Sequence, residues 1–136
     1  MPIQIDFRSG VPIYIQIMNQ IRQMVANGDL KPGDQLPTVR QLAIDLQVNW
    51  NTVARAYRLL DEAGLISTQR GRGTFIWEVL SDEATRLLHQ QTLEGLTRHY
   101  LAEAARLGVS PQEVVRFFQK EITAWEQGQT PQETDI

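Results

Sequence analysis

Apolar residues recur at helical spacing early in the chain. Ile13, Ile17, Ile21, Met24 and Val25 make one face and predict a first helix over 12–27. Pro12 suits its first turn, where a missing N–H costs nothing, and Gly28 supplies the stop. GDLKPGDQLP follows, a connector rich in turn residues. Thr38 and Gln41 form a T-x-x-Q capping box that starts a short second helix to about Leu46. Gln47 and Val48 make a brief turn, and Asn49 caps a third helix that ends near Gly64. Val53, Ala56, Tyr57 and Leu60 give this helix its buried face, leaving Trp50, Asn51, Ala54, Arg55 and Arg58 outward. LIST and TFIWE then alternate as two short strands joined by the glycine-bearing QRGRG.

A long helix is expected from Ser81, its N-cap, to about Leu107, with Ala84, Leu88, Leu96, Tyr100 and Leu107 in its apolar stripe. Gly95 is a weak point inside it, costing about 1 kcal/mol relative to alanine, and Gly108 ends it. SPQE places Pro111 and a capping-box Glu113 at the start of a last helix, lined by Val114, Val115, Phe117, Phe118, Ile122 and Trp125. The fold class is mainly α with a small β-hairpin. A winged helix-turn-helix occupies residues 1–78, a two-helix dimerisation arm 79–128, and a flexible polar tail 129–136.

Composition changes this picture little. The 136 residues include no cysteine, which excludes disulfides and thiolate metal sites and fits a reducing, cytoplasmic setting. No apolar run approaches the roughly 20 residues of a bilayer span, so no membrane role is expected. MPIQIDFRSG lacks the basic and apolar regions of a signal peptide. Net charge is −3, against a general nucleic-acid binder. Its distribution is uneven: residues 1–78 hold 8 Lys and Arg against 7 Asp and Glu, and residues 79–136 hold 5 against 9. Arg40, Arg55, Arg58, Arg70 and Arg72 make a local basic surface on an acidic protein.

Two helices joined by a short turn can set the second into a DNA major groove, about 12 Å wide. Asn51, Thr52 and Arg55 stand at the leading end of that helix, where free N–H groups also favour a phosphate. The same residues could equally form a solvated helix face; the hairpin behind them tips the reading to DNA. Trp50 has two readings: contact with a sugar or a thymine methyl, or packing back on the second helix. In QRGRGT, Gly71 and Gly73 let the backbone approach DNA, and Arg70 and Arg72 can reach phosphates or a minor groove. The bland alternative is a tight turn with solvated arginines. No catalytic constellation is found, and no cofactor or metal is expected. His89 and His99 lie ten apart, not at the spacing of a helical metal pair.

The run from PIYIQIM to RGRGTFI, about residues 12–76, resembles the N-terminal domain of GntR-family bacterial transcription regulators. LKPGDQLPTVRQLA, NTVARAY and RGRGTF carry the resemblance. The short helical remainder, with LGVSPQEVVRFF, is similar to the YtrA subfamily, whose members have two C-terminal helices in place of a large effector domain. The resemblance implies operator contacts by Arg40, in LPTVR with Thr38, by Asn51 and Thr52, and by Gly71 with Arg70 and Arg72. Many relatives carry arginine where this chain has Trp50 and Ala54, so the base-reading set is altered. Arg55, one residue after Ala54, is expected on phosphate.

The expected protein is a dimeric, operator-specific regulator, a repressor, with transporter genes as the target class the resemblance implies. A protein-binding winged helix would lack wing arginines, and a small enzyme would need a site that is not seen. Leu88, Leu96, Tyr100, Leu101, Phe117, Phe118, Ile122 and Trp125 are too many apolar side chains for two helices to enclose, which predicts a homodimer. An arm this short has little room for a pocket of roughly 300 Å³ or more. A small-molecule effector is therefore left to a site between subunits.

Overall fold

The helices expected from periodicity form within a residue or two of their expected bounds. The structure, a computed structural model, describes residues 2–77 and 81–132. Its elements are α1 (Ile13–Ala26), β1 (Gln35–Leu36), α2 (Val39–Leu46), α3 (Trp50–Glu62), β2 (Ile66–Gln69), β3 (Gly73–Ile76), α4 (Asp82–Arg106) and α5 (Pro111–Glu126). The caps are those the sequence announces. Thr38 accepts from the Gln41 N–H at 3.0 Å, Asn49 from Asn51 at 2.7 Å, Ser81 from Ala84 at 3.0 Å and Ser110 from Glu113 at 3.2 Å. The capping box at Thr38 is half made, because the Gln41 amide donates to Asp45 instead, at 2.8 Å. Gln47 closes α2 in the left-handed region, with φ 56°.

The sheet is larger than a hairpin. Its order is β1-β3-β2, all antiparallel, with Gln35 opposite Phe75 and Ile66 opposite Ile76. β1 lies in the stretch expected to be connector only. Glu78, expected at the end of the second strand, lies outside the described residues, as do residues 133–136 of the expected tail. The Gln129 N–H still bonds the Ala124 carbonyl at 3.1 Å, so the start of that tail closes α5.

The chain divides into two compact units, Met1–Leu96 and Thr97–Ile136. In the first, Ile15, Ile17 and Ile21 of α1 pack with Leu42, Val53, Leu60, Leu65, Ile66 and Ile76, all fully buried. Each such side chain contributes about 1.5–3 kcal/mol. This unit reaches past residue 78, where the sequence reading divides the chain, because Leu88 of α4 joins its core. Two glutamines one turn apart hold the N-terminal segment on α1. Gln20 exchanges hydrogen bonds with the Gln4 backbone at 2.9 and 2.6 Å, and Gln16 does the same with Asp6 at 2.9 Å each way. In the second unit, Ala104 and Val114 are buried and the Tyr100 and Phe118 rings meet edge-on at 4.6 Å.

Candidate nucleic-acid interface

The site is built from two helix starts and a hairpin tip. α2 begins beside Thr38, with Arg40 exposed as its second residue, and α3 begins with Trp50, Asn51 and Thr52. The turn between them spans Gln47 to Asn49, which makes the helix-turn-helix. Tyr57 of α3 fixes the approach to α2: its hydroxyl donates to the Pro37 carbonyl at 2.7 Å, just before Thr38. Burial pushes the Tyr57 phenol well above its usual range, so it remains a donor.

The β2–β3 hairpin is the wing. Arg70, Gly71 and Arg72 form its exposed tip, closed by the Arg72 N–H on the Gln69 carbonyl at 3.0 Å. Gly71 adopts φ 77°, which a side chain would strain. Gln35 of β1 supports the wing from behind, donating its amide to the Arg72 carbonyl at 3.2 Å. A Cβ on Gly73 would lie 2.6 Å from that same amide nitrogen. Gly73, expected as a DNA-approach glycine, thus makes room for Gln35.

An open groove of about 460 Å³ runs between α3 and the hairpin, lined by Val39, Trp50, Ala54, Tyr57, Arg58 and the two threonines Thr68 and Thr74, with Asp61 and Glu62 at its far end. Trp50 is 53 % exposed, so it is not a core residue, and it lines this groove together with Val39 of α2. Arg58 lies on the same helical stripe as Trp50 and Ala54. The sequence places Arg58 in the local basic surface and on the outward face of this helix, and the spacing 50, 54, 58 puts it on this stripe. Arg55 is placed elsewhere: its guanidinium lies 4.0 Å from the centroid of the Tyr14 ring on α1.

The expected interface residues of the arm divide. Leu88 is 2 % exposed, buried in the core of its own unit, and so is not available to a second chain. Leu96, Tyr100, Phe117, Phe118, Ile122 and Trp125 are exposed by 37–57 %. His89 is exposed, with Arg22 3.3 Å from its ring. Among the described residues no cluster of His, Asp or Glu could hold a metal, and no helix is long and apolar enough to cross a membrane.

The model of the family described as bacterial regulatory proteins, gntR family, matches residues 13–76. A regulator from Bacillus subtilis, the uncharacterized HTH-type transcriptional regulator YhcF, is 39 % identical over 112 residues, 81 % of this chain and 89 % of its own length. The chain belongs to the gntR family. It is of the YtrA type within that family. The HTH-type transcriptional repressor YtrA of Bacillus subtilis is 53 % identical over 76 residues, 56 % of this chain and 58 % of that relative. The solved YtrA of Sulfolobus acidocaldarius, a GntR-family transcription factor, matches 89 % of this chain and 97 % of its own at 36 % identity and TM-score 0.55. The winged helix-turn-helix with a C-terminal helical region is therefore the family fold. The protein is a DNA-binding transcription regulator of this family, not an enzyme.

Proposed function

We propose that the protein is a homodimeric cytoplasmic repressor that binds a pseudo-palindromic operator, with transporter genes as its target class. The observation that carries the DNA reading is the convergence of the α2 start, the α3 stripe and the hairpin strands on one groove, with Arg40, Arg70 and Arg72 exposed on the same unit. The helix starts offer free N–H groups to phosphates, and α3 is presented for insertion into a major groove. Thr38, Arg40, Asn51, Thr52, Arg70, Gly71 and Arg72 are the proposed contacts. Arg55, on the Tyr14 ring, serves first to tie α3 to α1.

Dimerisation is supported by the second unit. Tyr100, Leu101, Phe117, Phe118, Ile122 and Trp125 are large and apolar, and a single chain leaves them 39–57 % exposed. An open apolar groove of about 460 Å³ at the α4–α5 turn, lined by Leu101, Ala104, Val109, Pro111 and Val114, belongs to the same unit. It exceeds the volume expected of so short an arm. A second copy, which closes a twofold dimer, is the proposed cover, and an effector would have to share that space.

Sedimentation and gel shift test the proposal together. The full chain is expected to sediment as a dimer at micromolar concentration and to shift one duplex sequence in the presence of excess random DNA. Phe117→Glu with Phe118→Glu is expected to give a folded monomer with weakened operator binding. A wild-type monomer, or equal affinity for every duplex, would contradict the proposal.

A further inference from the structure

The stripe that α3 turns toward the groove carries no hydrogen-bonding side chain at its leading end other than the Trp50 indole N–H. Trp50 and Ala54 lie one turn apart there, with Val39 of α2 beside them, and Trp50 keeps about half of its surface in solvent. The first charged residue along this stripe is Arg58, 3.9 Å from Glu62. The leading end of this stripe is thus an apolar patch, and it lies on the unit that also exposes Arg40, Arg70 and Arg72.

Major-groove base edges offer one apolar group, the 5-methyl of thymine; the rest are hydrogen-bond donors and acceptors. An arginine-bearing surface sets the backbone of a duplex against this unit. An apolar patch pressed on a guanine edge would leave acceptors unpaired, whereas on a thymine methyl it buries matching surface. We infer that Trp50 and Ala54 are specificity-determining residues that read thymine by its 5-methyl group in each half-site. Asn51, adjacent to Trp50 and exposed, has the donor and acceptor pair that suits an adenine edge. The half-site core is accordingly A·T-rich. This inference rests on the operator reading proposed above.

The test begins with full-length protein selecting its preferred duplex from a random pool. Each thymine of the selected half-site is then replaced by deoxyuridine, which removes only the methyl and keeps the base pairing. One or two positions are expected to lose about fourfold in affinity, the value of one buried methyl-sized group. Trp50→Ala, folded by circular dichroism, is expected to bind the thymine duplex more weakly and to show no further loss with deoxyuridine. Trp50→Phe is expected to retain most of the methyl sensitivity. A selected half-site without thymine, no loss with deoxyuridine, or an equal loss in wild type and Trp50→Ala would each overturn the inference and leave the operator reading intact. If Trp50→Ala fails to fold, the deoxyuridine scan on wild-type protein can still overturn the inference, and Trp50→Phe carries the attribution to the ring. A pool that yields no preferred sequence would instead overturn the operator reading and the inference with it.

Discussion

Replacing Gly95 with alanine sets two effects of similar size against each other. Alanine is better than glycine inside a helix by about 1 kcal/mol, so on propensity alone Gly95→Ala would stabilise α4. The structure opposes this. A Cβ at position 95 would lie 2.3 Å from the Tyr14 hydroxyl oxygen and 2.9 Å from Ile15 Cδ1. Ile15 is fully buried, and Tyr14 is nearly so beneath the Arg55 guanidinium. Relief therefore means moving a packed side chain and weakening a cation–π contact of about 0.5–1 kcal/mol, on top of roughly 1–3 kcal/mol for overpacking. The balance is a net destabilisation of about 0.5–3 kcal/mol, or several °C in Tm. Thermal melts followed by circular dichroism give this directly. In a Tyr14→Phe background the hydroxyl is gone and the ring carbon behind it lies at 3.4 Å. There, the added Cβ still meets Ile15 Cδ1 at 2.9 Å, so Gly95→Ala is expected to remain destabilising but by less, a coupling of about 1 kcal/mol between the two positions. A higher Tm for Gly95→Ala in the wild-type background would refute the close approach of α4 to α1.

Tyr57→Phe removes the Tyr57 hydroxyl from the Pro37 carbonyl and is expected to cost about 1–2 kcal/mol in denaturant melts. Because burial raises the Tyr57 phenol, its contribution is complete below the unfolded value of about 10 and is lost as pH rises toward the higher folded value. Stability should thus fall more steeply above pH ~10 in wild type than in Tyr57→Phe. Gln47→Gly relieves a left-handed non-glycine residue at the end of α2 and is expected to stabilise by up to about 1 kcal/mol; a lower Tm would count against it. Arg70→Ala and Arg72→Ala, in the exposed wing tip, are each expected to weaken all duplexes alike and lower the salt slope by about one unit. An unchanged slope would show that the wing does not touch phosphate.

What could be read in the sequence was what local chemistry determines. The helix starts at Thr38, Asn49 and Ser110 are announced by their own side chains, and the stops at Gly28 and Gly108 by their need for positive φ. The wing with Arg70 and Arg72 is legible in LIST and TFIWE around QRGRG, and the operator role of Arg40 only through the family resemblance. Long-range placements are not legible. β1 is two residues long, too short for any alternation, and exists because Gln35 and Leu36 meet β3 far along the chain. Gln16 and Gln20 read as polar positions on a helix, yet their amides hold the N-terminal segment. Leu88 and Leu96 share one expected stripe on α4, but Leu88 is enclosed by its own chain and Leu96 is exposed. Gly95 reads as a helix flaw and is the point where α1 comes close. Arg55, at the leading end of α3, turns to Tyr14, which periodicity within α3 cannot show.

Hydroxyl-radical footprinting of the full chain on its selected duplex tests the central claim most directly. Two symmetry-related half-sites protected together, one dimer per duplex, with added protection in the adjoining minor groove that disappears in Arg70→Ala with Arg72→Ala, is the result predicted. A single asymmetric footprint bound by one dimer, or protection that does not depend on sequence, would contradict it.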